Sequence, residues 1–115
     1  MPFIAEEIAI ELVSCLRVPV AQIGRHDRDL ASQVRRAASS VALNLGESEG
    51  RFGTDRTHSI RIAAGSACEV QCALRVAVAW GYLEPASVAP ALQLLHRLGG
   101  MLWRLAPPAV TAHGR

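Results

Sequence analysis

The chain of 115 residues contains no lysine, so all twelve of its basic residues are arginine. Ten acidic residues reduce the formal net charge to +2, which excludes the dense positive surface of a dedicated nucleic-acid-binding protein. Two explanations for the missing lysine stay open: the composition of the genome, or a need for bidentate contacts with carboxylate or phosphate. Charge alone therefore assigns no function.

Aromatic residues are also scarce, because the chain has only two Trp, two Phe and one Tyr although half of its residues are hydrophobic. The remaining apolar residues are mostly Ala, Leu and Val, which suit closely spaced helices better than a β-sandwich. A chain of this length buries roughly two-thirds of the surface that its unfolded form exposes. We therefore expect one all-α domain with one core.

Cysteine is limited to Cys15, Cys68 and Cys72, an odd number without the spacing of a disulfide framework. Cys68 and Cys72 lack a second pair of ligands, which argues against zinc. The N-terminus has no basic region typical of a signal peptide, and no stretch of about 18 residues is apolar and free of charge. We expect a cytoplasmic protein that does not contact a membrane.

Four segments have helical periodicity. They cover about residues 3–23, 29–49 and 54–79, and a fourth segment starts between 84 and 87 and ends before Pro107. Pro19 predicts a kink or an early end near Arg17, and Gly81 is the natural end of the third helix. Short connections predict antiparallel neighbours, hence an up-down four-helix bundle over residues 1–108 and a flexible tail over 109–115.

The helix starts have candidate caps. Asp27 or Asp29 can accept the free N–H groups of the second helix, and Thr54 or Asp55 those of the third.

A polar stripe with spacings of three and four runs along the second helix: Arg36, Ser40, Asn44, Glu47 and Arg51. The third helix offers Gly65, Ser66 and Glu69 as neighbours. One interpretation is an interhelical network or subunit contact that fixes register, since a buried amide needs partners. The other is a binding pocket lined by two carboxylates and arginine.

Catalytic signatures are missing. Glu47 and Glu69 are a conceivable acid–base pair or half of a metal site, but carboxylate-bridged metal bundles use Glu-x-x-His pairs. Here Gly50 follows Glu47 by three residues and Cys72 follows Glu69. No Ser-His-Asp order or glycine-rich phosphate loop is present. We predict no enzymatic activity, no catalytic residue, no metal and no cofactor.

Three runs of the sequence resemble a known family: Gln33 to Glu47, Ala64 to Glu69, and Trp80 to Leu83. They are similar to the four-helix-bundle proteins of 23S ribosomal RNA intervening sequences. The resemblance implies a ring-like homopentamer, and most members have no assigned activity. A related protein, the accessory variability determinant of diversity-generating retroelements, works with a reverse transcriptase and binds nucleic acid through a basic surface.

The family pattern usually reads Asn-Ile-Ala-Glu-Gly, whereas this chain has Gly46 in place of Ala and Ser48 in place of Gly. The change predicts a second helix that extends to Gly50. The family's polar positions correspond here to the residues that helical geometry already singles out: Arg36, Ser40, Asn44, Glu47, Gly65, Ser66 and Glu69.

These observations predict a non-enzymatic oligomeric bundle, an RNA-associated accessory or scaffold protein. The alternative is a structural assembly module whose polar cleft or central channel binds a small ligand or a partner protein. Acidic residues cluster in the first helix and arginines dominate after residue 55. The candidates for nucleic-acid binding flank the turn between the second and third helices or lie near it: Arg35, Arg51, Arg56 and Arg61.

Overall fold

The computed structural model describes residues 3–107, which form four helices. These are α1 (Ile4–Gly24), α2 (Arg28–Ser48), α3 (Gly53–Ala79) and α4 (Pro85–Leu105). Each helix packs against two others, α1 and α3 both contacting α2 and α4. Because the turns are short, neighbours are antiparallel, and the predicted all-α four-helix bundle is confirmed. The predicted tail, 109–115, lies outside the described residues.

The core contains only small and medium-sized side chains. Its largest fully buried residues are aliphatic and come from all four helices, among them Leu12, Leu45, Leu74 and Leu98. None of the five aromatic residues belongs to the fully buried set. The scarcity of aromatic residues therefore reflects closely packed helices: Phe52, Trp80 and Trp103 are exposed, and Phe3 and Tyr82 pack against the edge of the core.

Two helix starts test the predicted caps. The carboxylate of Asp27 accepts a 2.9 Å hydrogen bond from the Leu30 N–H, which confirms one of the two predicted caps of α2. The caps predicted for α3 are wrong, because that helix begins at Gly53 after Phe52, whose side chain accepts no hydrogen bond from the first turn. Gly53 has φ +58°, a left-handed conformation that places the helix start before Thr54.

Of the proline and the glycine predicted to end helices, only the glycine does so. Pro19 lies buried inside α1, which continues to Gly24, so the early end near Arg17 does not occur. Gly81 ends α3 as predicted, with φ +82°. The N–H of Gly81 donates to the Val78 carbonyl and that of Tyr82 to the Ala77 carbonyl, both at 2.9 Å. This pair of bonds is the Schellman motif, and it fixes the direction in which the chain leaves α3.

The bundle has two distinct ends. We call the end that carries the α1–α2 and α3–α4 turns the α1–α2 end. The opposite end, called the α2–α3 end, carries the α2–α3 turn, the start of α1 and the end of α4.

Candidate functional site

Part of the predicted polar stripe forms a hydrogen-bonded cluster between α2 and α3. The hydroxyl oxygens of Ser40 and Ser66 lie 2.8 Å apart, and either can be the donor. The Asn44 amide nitrogen donates to the Ser40 carbonyl at 2.9 Å and to its hydroxyl at 3.1 Å. All three side chains are half-buried. This serine–asparagine cluster ties the two helices together at mid-height.

The two carboxylates of the stripe have separate partners. Glu47 pairs with Arg51, four residues further along the chain and beyond the end of α2, whereas Glu69 accepts a 3.4 Å hydrogen bond from the Gln33 side chain. Because Ser40 lies beside Ser66 in antiparallel helices, Glu47 and Glu69 are displaced in opposite directions. At 1.5 Å per residue they are about 15 Å apart along the bundle. They are therefore not placed for joint acid–base chemistry.

Arg36 and Gly65 complete the predicted set, and both are exposed. A Cβ atom added to Gly65 meets nothing within 4 Å, so no other helix among residues 3–107 approaches this glycine. A glycine in the middle of a helix lets another backbone come close, but no part of residues 3–107 does so at Gly65. The surface around Gly65 is open.

Apolar side chains extend along the exposed side of α3 at the spacing of Gly65. Ile62 is 40% exposed and Val76 38%, and Leu43 of the neighbouring α2 is 71% exposed. We call Leu43, Ile62, Gly65 and Val76 the α3 face. Within the most apolar 18-residue window of α3, whose mean hydropathy is 1.3, only 33% of residues are buried. This helix thus has far more apolar surface than its own bundle covers.

By length and composition alone, α3 is also the one helix among residues 3–107 able to cross a membrane. That finding does not identify a membrane protein, because a helix of a bundle core meets the same criteria. Glu69 lies on the exposed side of this helix near its middle, and the exposed Arg61 directly precedes Ile62.

The four arginines predicted to bind nucleic acid do not form one cluster. Arg51 pairs with Glu47, and Arg61 donates to the Pro107 carbonyl at 3.0 Å. Arg56 is half-buried near the start of α3. Arg35 lies elsewhere, in the groove between α1 and α2. Its role and that of the other three stay predictions.

Acidic residues of α1 lie at the same end of the bundle as Arg51 and Arg56. Glu6 reaches Gly46, where its Oε2 is 2.6 Å from the position that a Cβ would occupy. A hydrogen bond with Glu49, together with burial and the charges of Glu49 and Glu7, raises the pKa of Glu6. The charges that are separated along the sequence are therefore mixed in space at the α2–α3 end.

Gly46 and Ser48 are the two positions of α2 that depart from the family pattern. The Glu6 carboxylate occupies the space that an alanine at 46 needs, and Ser48 is fully buried with its hydroxyl donating to the Leu45 carbonyl at 2.7 Å. The expected extension of α2 to Gly50 is wrong, since the helix ends at Ser48.

Metal ligands are dispersed in the part of the chain that the structure describes, where no group of three His, Cys, Asp or Glu side chains comes together. Cys68 and Cys72 are free and exposed on α3, and Cys15 is free and half-buried.

Sequence reasoning missed one group of side chains at the α1–α2 end: His26, Trp80 and Tyr82, whose rings stack. The available signal was a pair of aromatic residues on either side of the helix-ending Gly81. Their proximity to His26 depends on how two turns meet, which helical periodicity does not reveal.

Comparison with known proteins agrees with this architecture. A crystal structure of a protein of unknown function from the S23 ribosomal protein family, from Bacteroides thetaiotaomicron, superposes with a TM-score of 0.81. The match covers 90% of this chain and 99% of the other at 14% identity, which establishes a shared fold. No curated protein is significantly similar to the chain. The model of the 23S rRNA-intervening sequence proteins matches residues 5–104, and the chain belongs to that family.

Proposed function

We propose that the protein is a non-enzymatic, cytoplasmic four-helix bundle that assembles into a ring of five subunits and serves as an RNA-associated accessory or scaffold. The observation that carries the proposal is the α3 face, an apolar surface with a glycine at its centre that no part of residues 3–107 covers. Exposed apolar surface of this kind favours contact with another protein surface.

A second copy of the chain fits the α3 face because the surface combines apolar area with a ready hydrogen-bonding group. Ile62 and Val76 supply the apolar area, and Gly65 lets a backbone approach. The serine–asparagine cluster next to them is half-buried in one subunit, and a neighbour would complete its burial.

A closed ring needs two different patches on each subunit. α1 packs on α2 and α4 and so lies diagonally opposite α3. It exposes 59% of Ile4 and 54% of Ile10. These exposed apolar side chains, on the helix diagonally opposite α3, support head-to-tail assembly around an axis.

The absence of joint chemistry between Glu47 and Glu69 supports a non-enzymatic role. The RNA association has separate support, from a net charge of +2 that assembly multiplies by the number of subunits. The family description names the intervening sequences of 23S rRNA, which makes RNA the first partner to test.

Native mass spectrometry tests assembly. The unmodified chain should give a closed ring of five. Gly65→Arg should give folded monomers, because nothing within residues 3–107 opposes a side chain there, whereas in the proposed ring a neighbour's backbone would. Gln93→Arg adds the same charge at an exposed position of α4 and should leave the ring intact. A monomeric unmodified protein at micromolar concentration contradicts the proposal.

Binding of labelled structured RNA at about 50 and about 200 mM salt tests the association with RNA, since phosphate contacts weaken steeply with salt. Nucleic acid that copurifies after gentle lysis, read from the absorbance ratio, gives an independent measurement. An intact ring that binds no RNA at the lower salt would leave assembly as the protein's only supported role.

A further inference from the structure

Three aromatic rings lie nearly parallel at the α1–α2 end. The rings of His26 and Tyr82 are 5.0 Å apart at 6°, and those of Trp80 and Tyr82 are 6.4 Å apart at 16°. Trp80 is 69% exposed, His26 is exposed and Tyr82 is half-buried. We call His26, Trp80 and Tyr82 the aromatic stack. Tyr82 packs against the hydrophobic core, and the exposed rings of Trp80 and His26 present flat surface to solvent.

The stack is held in place by the backbone. Gly81 and its two Schellman hydrogen bonds fix Trp80 and Tyr82 on either side of the α3 end. His26 is fixed by the tight α1–α2 turn, in which its N–H donates to the Ile23 carbonyl at 2.9 Å. A planar ligand therefore meets rings that are already ordered, which lowers the entropy cost of binding.

A cavity of about 240 Å³ opens beside the stack. Besides His26 and Tyr82, it is lined by polar and charged side chains with both donor and acceptor atoms: Gln22, Arg25, Glu84 and Ser87. Such groups can hydrogen-bond the edge of an unpaired base whose face lies on an aromatic ring.

Arginines lead from this cavity across α1. Arg25 also lines a shallow depression on α1 together with Arg17, and Arg17 lines the α1–α2 groove together with Arg35. We call Arg17, Arg25 and Arg35 the basic strip. The eight residues from Arg17 to Arg25 span about 12 Å, enough for more than one backbone phosphate.

The basic strip is free of ion pairs within residues 3–107, where the one salt bridge joins Arg51 and Glu47. The nearest turn carries Asp27, but its carboxylate already caps α2. Most carboxylates of α1 and α2 lie towards the other end of the bundle, among them Glu6, Glu7 and Glu49. Among the described residues, the strip therefore holds three positive charges without an ion-pair partner, although Glu84 lines the same cavity as Arg25.

We infer that the basic strip and the aromatic stack together bind an unpaired segment of RNA, with phosphates on the arginines and a base on Trp80 or in the adjoining cavity. The inference rests on the proposed RNA association, and it places the RNA-binding site away from the α2–α3 turn. Positive grooves that end in aromatic platforms are the usual arrangement for single strands. Paired bases offer no free face, so a duplex gains only the phosphate contacts.

The test compares how tightly the protein binds a labelled 12-nucleotide oligouridylate and a perfectly paired RNA duplex. Native mass spectrometry first verifies that the protein is assembled. The single strand should bind more tightly. Trp80→Ala should weaken its binding at least about fivefold, because one stacked base is lost. Trp103→Ala is the matched control, since Trp103 is 63% exposed at the opposite end of the bundle. In a Trp103→Phe background, RNA should quench the fluorescence of Trp80.

Two triple variants locate the phosphates. Replacing Arg17, Arg25 and Arg35 with Gln should reduce the slope of log affinity against log salt by about two to three. Replacing Arg51, Arg56 and Arg61 with Gln should change it little. The inference is overturned if the second triple or Trp103→Ala carries the loss, or if Trp80→Ala leaves the assembly intact and RNA binding unchanged. If no RNA binds an intact unmodified ring, the proposed RNA association itself fails.

Discussion

The two ends of the bundle connect antiparallel helices through different interactions. At the α1–α2 end, an aspartate caps α2, a left-handed glycine ends α3, and three rings stack outside the core. At the α2–α3 end, α3 starts without a side-chain cap, and carboxylates crowd around Gly46. One end is held by specific backbone hydrogen bonds and is rich in free arginine. The other accumulates like charges that partly oppose one another.

The difference predicts that the α1–α2 end is the more sensitive to backbone change. Gly81→Ala should lower the free energy of unfolding by about 1–2 kcal/mol, because a Cβ is disfavoured at φ +82°. Denaturant unfolding measures the loss, and near-ultraviolet circular dichroism should report disorder of the stack. Gly99→Ala is the control: it lies inside α4 with open space for a Cβ and should raise stability by about 0.5–1 kcal/mol. Losses of equal size in both variants contradict the prediction.

At the α2–α3 end, the corresponding substitution should have the opposite sign. Gly46→Ala brings a Cβ against the tip of the flexible Glu6 side chain, which can rotate away. The free energy of unfolding should then rise by about 0.5–1 kcal/mol, because alanine favours a helix over glycine. The same substitution in a Glu6→Ala background removes the obstacle and should give at least the same gain. A loss in both backgrounds would place the cause in the α2 backbone.

The smallest expected effect is a dependence of stability on pH. Since the pKa of Glu6 is raised in the folded state, the folded protein holds more protons than the unfolded chain above pH 4.5. Stability contributed by this group therefore falls as pH rises from about 4.5 through the raised folded pKa, and it stays low at pH 7. Glu6→Gln should raise the melting temperature at pH 7 and have little effect at pH 4. Glu11→Gln, on the same helix, should change the melting temperature equally at pH 7 and at pH 4.

Helical periodicity predicted the four helices because each has an apolar side long enough to specify a core. Gly81 was recognisable as a helix end, and Asp27 as one of two candidate caps. The start of α3 was not, because a left-handed Gly53 replaces the side-chain cap that a sequence pattern looks for. The contact among Ser40, Asn44 and Ser66 was also predictable, because the periodicity of each helix by itself shows which of its residues share a face.

Relations between distant helices were harder to predict. Glu47 and Glu69 share the correct faces, yet their axial separation depends on the register of α2 against α3, which neither helix encodes alone. The basic strip joins Arg17 and Arg35, which are far apart in sequence. The distribution of charge along the sequence therefore predicted neither the basic strip nor the mixture of charges around Glu6.

The two serine hydroxyls between α2 and α3 have no fixed direction of donation. They hold two hydrogens, and their mutual bond uses one. Reversing that bond needs only rotation about two C–O bonds, and in either state one O–H remains available. A subunit can thus offer a donor from Ser40 or from Ser66 without any shift of the helices. In the proposed ring, each chain could in this way present the donor that suits the neighbouring subunit from the same two residues.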